Sequence, residues 1–395
     1  MDSRRNQTKE RSAGPGRDAG KARVGAIQNA YAGHRLMFIR RLAEANESGH
    51  FLLITTREGH ASTEYQQHLA GLELAGRLRV EYSGSANDGT YKLVRSAMNK
   101  VVEGQLTHVL VPDADALLPA LFLTAVRSLG RRLPGLSVIV MRTGCCPRGA
   151  YRSRIVTFVK RGLLNILPRV WKNTRAYFLT DAFEIVSKRP GYESLAPVPN
   201  PAPELLDGDR EMTREALGIG RGTFLVGLVG MLNKYKCPDL VIGALDGLPM
   251  SARLLAVGPA DSSTSKILDE AIARHGDRIL RIDRYVKESE LGSYIAACNA
   301  IVLTYKDDDP SATLITAVRS RVPVVAAGSP WLKKIVGELE LGSVVHLSAA
   351  GVQTGLSEIM AEPGKFDVTI RAALGRLVPE KFEKTLLKPV AEPQF

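Results

Sequence analysis

At 395 residues, with Lys+Arg 53 against Asp+Glu 41 and a formal net charge of +12, the chain is long enough for two domains of ordinary size, each with its own core. No apolar run approaches the roughly 20 residues of a membrane span, and no signal-peptide pattern opens the sequence. The expectation is a cytoplasmic protein, peripheral at the inner face of the cell membrane. Cys145, Cys146, Cys237 and Cys298 lack CxxC spacing, and an adjacent pair is a poor disulfide, so they read as free thiols. Neither GxGxxG after a strand nor GxxxxGK[ST] occurs, which argues against a dinucleotide enzyme and a P-loop ATPase.

Residues 1 to 21 are polar, glycine-containing and without hydrophobic periodicity, and are expected to be a disordered basic arm. Residues 22 to 197 read as one α/β unit. Strand-like runs lie at 51–56, 78–83, 107–115, 136–144 and 176–181, with helical patterns at 35–46, 91–103 and 116–129. Gly33 and His34 fall at a helix start after a short strand. Asp113 and Asp115 follow an apolar strand. Residues 1–199 hold 30 Lys+Arg against 16 Asp+Glu, whereas 200–395 hold 23 against 25, so the basicity belongs to the amino half. Its densest stretch, 151–177, has seven basic residues and no acid, with Ile155, Phe158, Leu163, Leu164 and Ile166 interleaved among Arg152, Arg154, Lys160 and Arg161. That pattern predicts either a surface helix resting on anionic lipid or a helix packed on the sheet with a solvated basic face.

In the carboxy half, TFLVGLVG at 223–230 is a buried-type strand, and KCPDLVIGAL after it has helical spacing. Lys236 therefore sits at a strand-to-helix turn, where a lysine is a point charge for phosphate. AIVLTY at 300–305 and VPVVAAG at 322–328 flank a crossover helix that starts at Asp309-Pro310-Ser311. Asp309 is the expected N-cap, and the free N–H groups around Ser311 and Ala312 suit a phosphate. The lysine turn and the helix start are expected to form two walls of a diphosphate site.

The order of these motifs, with VPNPAPE at 198–204, LLAVGPAD at 254–261 and RIDRYVKESELGSYIAACNAIVLTY at 281–305, resembles the donor-binding half of retaining GT-B glycosyltransferases of the family 4 type. The resemblance covers roughly 150 residues, Val198 to about Val345, and rests on several ordered landmarks rather than one. It implies an α/β GT-B fold of two Rossmann-like domains facing a cleft. The first would run over 22–197 and the second over 198–378, with a carboxy-terminal helix and tail over 379–395 returning toward the first. It implies hexosyl transfer from a nucleotide diphosphate sugar, with retention and without a metal or cofactor, to a glycan or lipid-linked acceptor such as a polysaccharide precursor. No nucleic acid partner is expected.

Carried over by position, the resemblance makes Lys236 the donor-phosphate lysine and Gly230 the glycine that lets the diphosphate approach. Tyr285 and Val286 would lie by the nucleotide base, Asp308 would orient the donor sugar, and Gly33 and His34 would face the cleft, where His34 touches sugar or acceptor. Two departures stand out. Met231 occupies the position of a usual arginine, and Asp308 and Thr316 occupy those of a glutamate pair, so a short hydroxyl replaces the ribose carboxylate. Ser311 with Leu314 and Ala317 resembles a divergent branch that holds phosphate mainly at the helix start. Asp113 and Asp115 also look like the metal-binding DxD of the unrelated GT-A enzymes, but the other landmarks put the nucleotide in the carboxy half, which leaves the pair to line the acceptor cleft or cap a helix. Two further readings stay open on the same fold: a nucleotide-sugar 2-epimerase, and a non-catalytic scaffold or partner subunit suggested by Met231 and Thr316.

Overall fold

The computed structural model describes residues 23–31, 35–46, 50–83, 89–129, 131, 133–141, 151–180, 195–201, 210–306, 311–377 and 381–388. The expected arm, Gly33, His34, Cys145, Cys146, Asp308, Asp309 and Pro310 lie outside them.

Among the described residues the strands form two wholly parallel sheets. The first contains β1 (Val24–Ile27), β2 (Phe51–Thr55), β3 (Leu78–Tyr82), β4 (His108–Val111), β5 (Gly135–Val140), β6 (Thr174–Thr180) and β7 (Ala196–Pro199), in the spatial order β3-β2-β1-β4-β5-β6-β7. The second contains β8 (Phe224–Val229), β9 (Ala252–Val257), β10 (Ile279–Ile282), β11 (Ala300–Tyr305), β12 (Val324–Gly328) and β13 (Gly342–Val345), in the order β10-β9-β8-β11-β12-β13. Both are doubly wound, and the strand order reverses between β1 and β4 and between β8 and β11. Central strands such as β2 and β11 are continuous apolar runs because helices cover both faces of a parallel sheet. The first sheet has a core on each face, one around Ile27, Val111, Leu121 and Trp171, the other around Phe38, Leu53 and Leu110.

Two boundaries differ from the sequence reading. Val198 and Pro199, the first residues of the expected second domain, belong to an edge strand of the first sheet, where β7 pairs with β6 alone. Pro197 and Pro199 are compatible with that place because an edge strand needs ladder donors on one side only. The crossover helix after β11 runs over Ala312–Arg319, and its N-cap is Ser311, not Asp309. Ser311 has extended backbone angles (φ −114°, ψ 106°) and its Oγ accepts from the Leu314 N–H at 3.1 Å, so helical geometry begins only after it.

The Lys381–Leu386 helix packs against the first half: the Phe382 ring lies 5.1 Å from that of Phe38, Glu383 pairs with Arg41, and the Arg175 guanidinium donates to the Lys388 carbonyl.

His108 in β4 is buried, with Nε2 3.1 Å from Ser137 Oγ. Burial, and then the nearby Arg175 charge, lowers its pKa to about 4. Because the folded value lies below the unfolded one, His108 supports the fold above the unfolded value and loses that support as pH falls. Unfolding free energy should drop by about 3 kcal/mol from this residue between pH ~6.5 and ~4. Urea titrations across that range should show a flatter pH dependence for His108→Gln than for the parent. Parallel curves for the two proteins would remove His108 as the cause.

Candidate active site

Gly230 follows β8 with φ +99°, a backbone conformation that only glycine adopts at little cost. The chain then turns through a short 3₁₀ segment, Lys234–Lys236, capped by Asn233, whose Oδ1 accepts from the Tyr235 N–H at 3.1 Å. Two bonds tie this turn to the end of β11. The Lys306 N–H donates to the Tyr235 carbonyl at 3.0 Å, and Thr304 Oγ1 donates to the Lys236 carbonyl. Cys237 then takes the left-handed conformation (φ 44°, ψ 56°), and Pro238 opens the Pro238–Leu245 helix. Pinned this way, Lys236 folds back over Gly230, its ammonium donates to the Val229 carbonyl, and it stands 5.5 Å from the centre of the Tyr305 ring.

Tyr305 links the two expected walls. Its ring lies under the Lys236 ammonium, and its hydroxyl is 3.2 Å from Ser311 Oγ, the cap of the Ala312–Arg319 helix. Thr313, in the first turn, also faces the glycine: a methyl group built on Gly230 would lie 2.7 Å from Lys236 Nζ and 3.8 Å from Thr313 Oγ1. A cation, a side-chain-free backbone and the positive end of a helix thus meet at one strand-end crevice, which is the arrangement for stabilising a phosphate or diphosphate anion. Gly258 after β9 keeps the floor open, since a Cβ there would strike the Gly230 carbonyl at 2.1 Å.

The structure brings together Gly230, Lys236, Ser311 and Ala312. Tyr305 and Thr313 join them, and the sequence reading missed both. Thr316 is fully buried, and its hydroxyl donates to the Ala312 carbonyl at 3.0 Å within its own helix, so it presents no group to a ribose. Met231, at the usual arginine position, is exposed. Tyr285 and the buried Val286 lie just past β10 on the same edge of the sheet, two strands from β8. The Tyr285 hydroxyl is 3.4 Å from His68 Nε2 of the first half.

The carboxylates expected at the acceptor cleft are each matched by a cation. Asp113 pairs with Arg35 Nε at 2.5 Å and Asp115 with Lys160 Nζ at 2.7 Å. Among the described residues no group of three or more His, Cys, Asp and Glu is arranged to hold a metal. Burial raises the thiol pKa of Cys237, and that of Cys298 to about 12, which keeps both protonated at neutral pH and excludes them as thiolate nucleophiles.

No protein-family model and no curated protein matches this sequence. Solved structures do match over nearly the whole chain. Anabaena HepE in complex with UDP is 15% identical with a TM-score of 0.68, covering 92% of this chain and 98% of that one. Sucrose-phosphate synthase of Thermosynechococcus elongatus is 15% identical with a TM-score of 0.70, covering 92% and 97%. WaaG, a glycosyltransferase involved in lipopolysaccharide biosynthesis, is 14% identical with a TM-score of 0.61, covering 92% and 99%. The fold is GT-B. In this GT-B chain the crevice between β8 and β11 is the switch point at which open parallel sheets take their ligands.

Gly230→Ala places a methyl against the Lys236 ammonium and forces an alanine to positive φ, a strain of about 1–2 kcal/mol. Nucleoside diphosphate affinity measured by calorimetry should fall roughly tenfold or more, since each 1.4 kcal/mol is a factor of ten. Gly222→Ala, where an added Cβ meets open space, should bind like the parent. Equal affinities for Gly230→Ala and the parent would show that ligand does not approach this backbone.

Proposed function

We propose that the protein is a retaining glycosyltransferase that moves a hexosyl group from a nucleoside diphosphate sugar to a glycan or lipid-linked acceptor. The observation that supports this most is the meeting of Lys236, Gly230 and the Ala312–Arg319 helix start around Tyr305 at the β8/β11 crevice. A uridine diphosphate sugar is the first donor to test, because HepE was solved with UDP and with UDP-glucose.

In the proposed reaction the bond from the anomeric carbon to the β-phosphate oxygen breaks and a bond from that carbon to the acceptor oxygen forms on the same face. The acceptor's proton passes to a leaving phosphate oxygen. The protein's task is then to stabilise charge growing on the diphosphate, which preorganised donors do best because they need no reorganisation during reaction. Lys236 supplies a full charge, and the amides at the start of the Ala312–Arg319 helix supply partial ones, so this scheme calls for no catalytic metal. Asp308 would orient the sugar and His34 would meet sugar or acceptor. With Thr316 turned into its helix, ribose recognition falls to another group, and Tyr285 and Val286 remain the candidates at the base.

Lys236→Ala should lower donor turnover, read as acceptor-independent hydrolysis of UDP-glucose, by on the order of 100-fold. Lys234→Ala serves as its control and should do little. Ser311→Asp isolates the helix start. Aspartate is as good an N-cap as serine, so the helix should persist, while a carboxylate beside the diphosphate costs several kcal/mol at intermediate dielectric. UDP affinity by calorimetry should therefore collapse without a comparable loss of Tm. If Ser311→Asp binds as well as the parent, the phosphate lies elsewhere. If the parent itself binds no nucleoside diphosphate, a non-catalytic scaffold becomes the better account.

A further inference from the structure

The Tyr151–Val170 helix carries two apolar stripes on opposite sides. The inner one, Leu164 and Leu167 continuing to Trp171, is buried against the first sheet's core. The outer one, Ile155, Val159 and Ile166 with Phe158 beside them, is exposed, and Phe158 is 78% accessible. A helix packed on a globular core needs only one such stripe. The Leu118–Arg127 helix packed alongside also exposes apolar side chains, Leu123, Val126 and the following Leu129. Exposed apolar side chains gathered on two neighbouring helices mark an interaction site, whereas scattered single residues do not.

Charge identifies the occupant. From residue 116 to residue 180 the chain has twelve Lys and Arg and not one Asp or Glu. Arg127, Arg131, Arg169 and Lys172 are exposed on these two helices or at their ends. A second copy of this chain would bring two strongly positive surfaces together. Nucleic acid would answer the charge but leave the apolar stripe uncovered. An anionic bilayer satisfies both, with apolar side chains at the acyl boundary and basic groups among the headgroups.

We infer that the outer face of these two helices docks on an anionic phospholipid bilayer, with Phe158, Ile155 and Val159 inserted. Lys160, which the sequence pattern grouped with the lipid-facing cations, is not part of that face. Its side chain is 8% exposed and it bonds Asp115, four positions past the end of β4, so it clamps the docking helix to the strand-end edge of the first sheet. In an enzyme of the kind proposed above, this geometry suits an acceptor that stays in the membrane.

The test uses the full-length protein without any nucleotide, which keeps its outcome independent of the transferase reading. Sedimentation is measured with unilamellar phosphatidylcholine vesicles, with and without phosphatidylglycerol. The parent should partition onto the anionic vesicles. Ile155→Ser with Phe158→Ser should reduce partition by about tenfold or more through lost insertion. Arg169→Gln with Lys172→Gln should reduce it by roughly tenfold at low salt and less at high salt. All four side chains are exposed, so Tm should hold in both double variants. No sedimentation of the parent at low salt would overturn the proposal, as would full partition of the serine variant. A parent dimer in light scattering that the serine variant converts to monomer, with no vesicle binding, would assign the face to a second copy and overturn it equally.

Discussion

β8 and β11 are neighbours in the second sheet, yet they pair only between the middle of β8 and the start of β11, Ala300 with Val226 and Ile301 with Gly227. Gly227 permits this pairing, because a Cβ there would collide with Ile301 Cδ1 at 2.5 Å and Cys298 Sγ at 2.8 Å. Beyond that point the two strands continue to Val229 and Tyr305 without a shared ladder, and the helices that follow them leave on opposite sides of the switch. A gap at the strand ends is the necessary consequence, and every feature of the candidate site borders it. The Lys234–Lys236 turn bridges the gap through Thr304 and Lys306, Gly230 forms its floor, and the Ala312–Arg319 helix points its free amides across it.

The electrostatics of the two halves divide along the same lines. Among the described residues, the Lys236 ammonium at the β8/β11 crevice is held by a carbonyl and an aromatic face and by no carboxylate. An incoming diphosphate would meet that cation at a partly desolvated strand end, where a charge is worth more than on an open surface. In the first half, Asp113 and Asp115 are each matched by a cation, Arg35 and Lys160, and form balanced pairs. The acid-free stretch of the amino half, residues 116 to 180, runs instead through the two helices with exposed apolar side chains.

Much of this was legible in the sequence because it depends on local order. Buried-type strands followed by helical spacing fixed the two parallel sheets, and Lys236 and Gly230 were readable as strand-end residues before any geometry was known. Tyr305 and Thr313 were not, since their roles arise from how far β8 and β11 diverge, a property of strand pairing that neither strand carries alone. The sequence favours Asp309 as the cap of the helix that follows, whereas the backbone angles make Ser311 the cap. Thr316 matched a functional position by count, but in a helix the fourth carbonyl back is always within reach of a threonine hydroxyl, and the buried side chain takes that partner. Periodicity predicted a basic amphipathic helix within 151–177, which in the structure runs over Tyr151–Val170 before β6, but not which of its two apolar stripes faces inward, and so could not reveal that Lys160 points into the protein.

The central claim is that nucleoside diphosphate binds at the strand ends of the second sheet, and a crystal structure of the UDP complex tests it most directly. The β-phosphate should lie within hydrogen-bonding distance of Lys236 Nζ and of backbone N–H groups at Ala312 or Thr313, with the α-phosphate over Gly230. Diphosphate found in the first half instead, beside Asp113 and Asp115, would contradict the account.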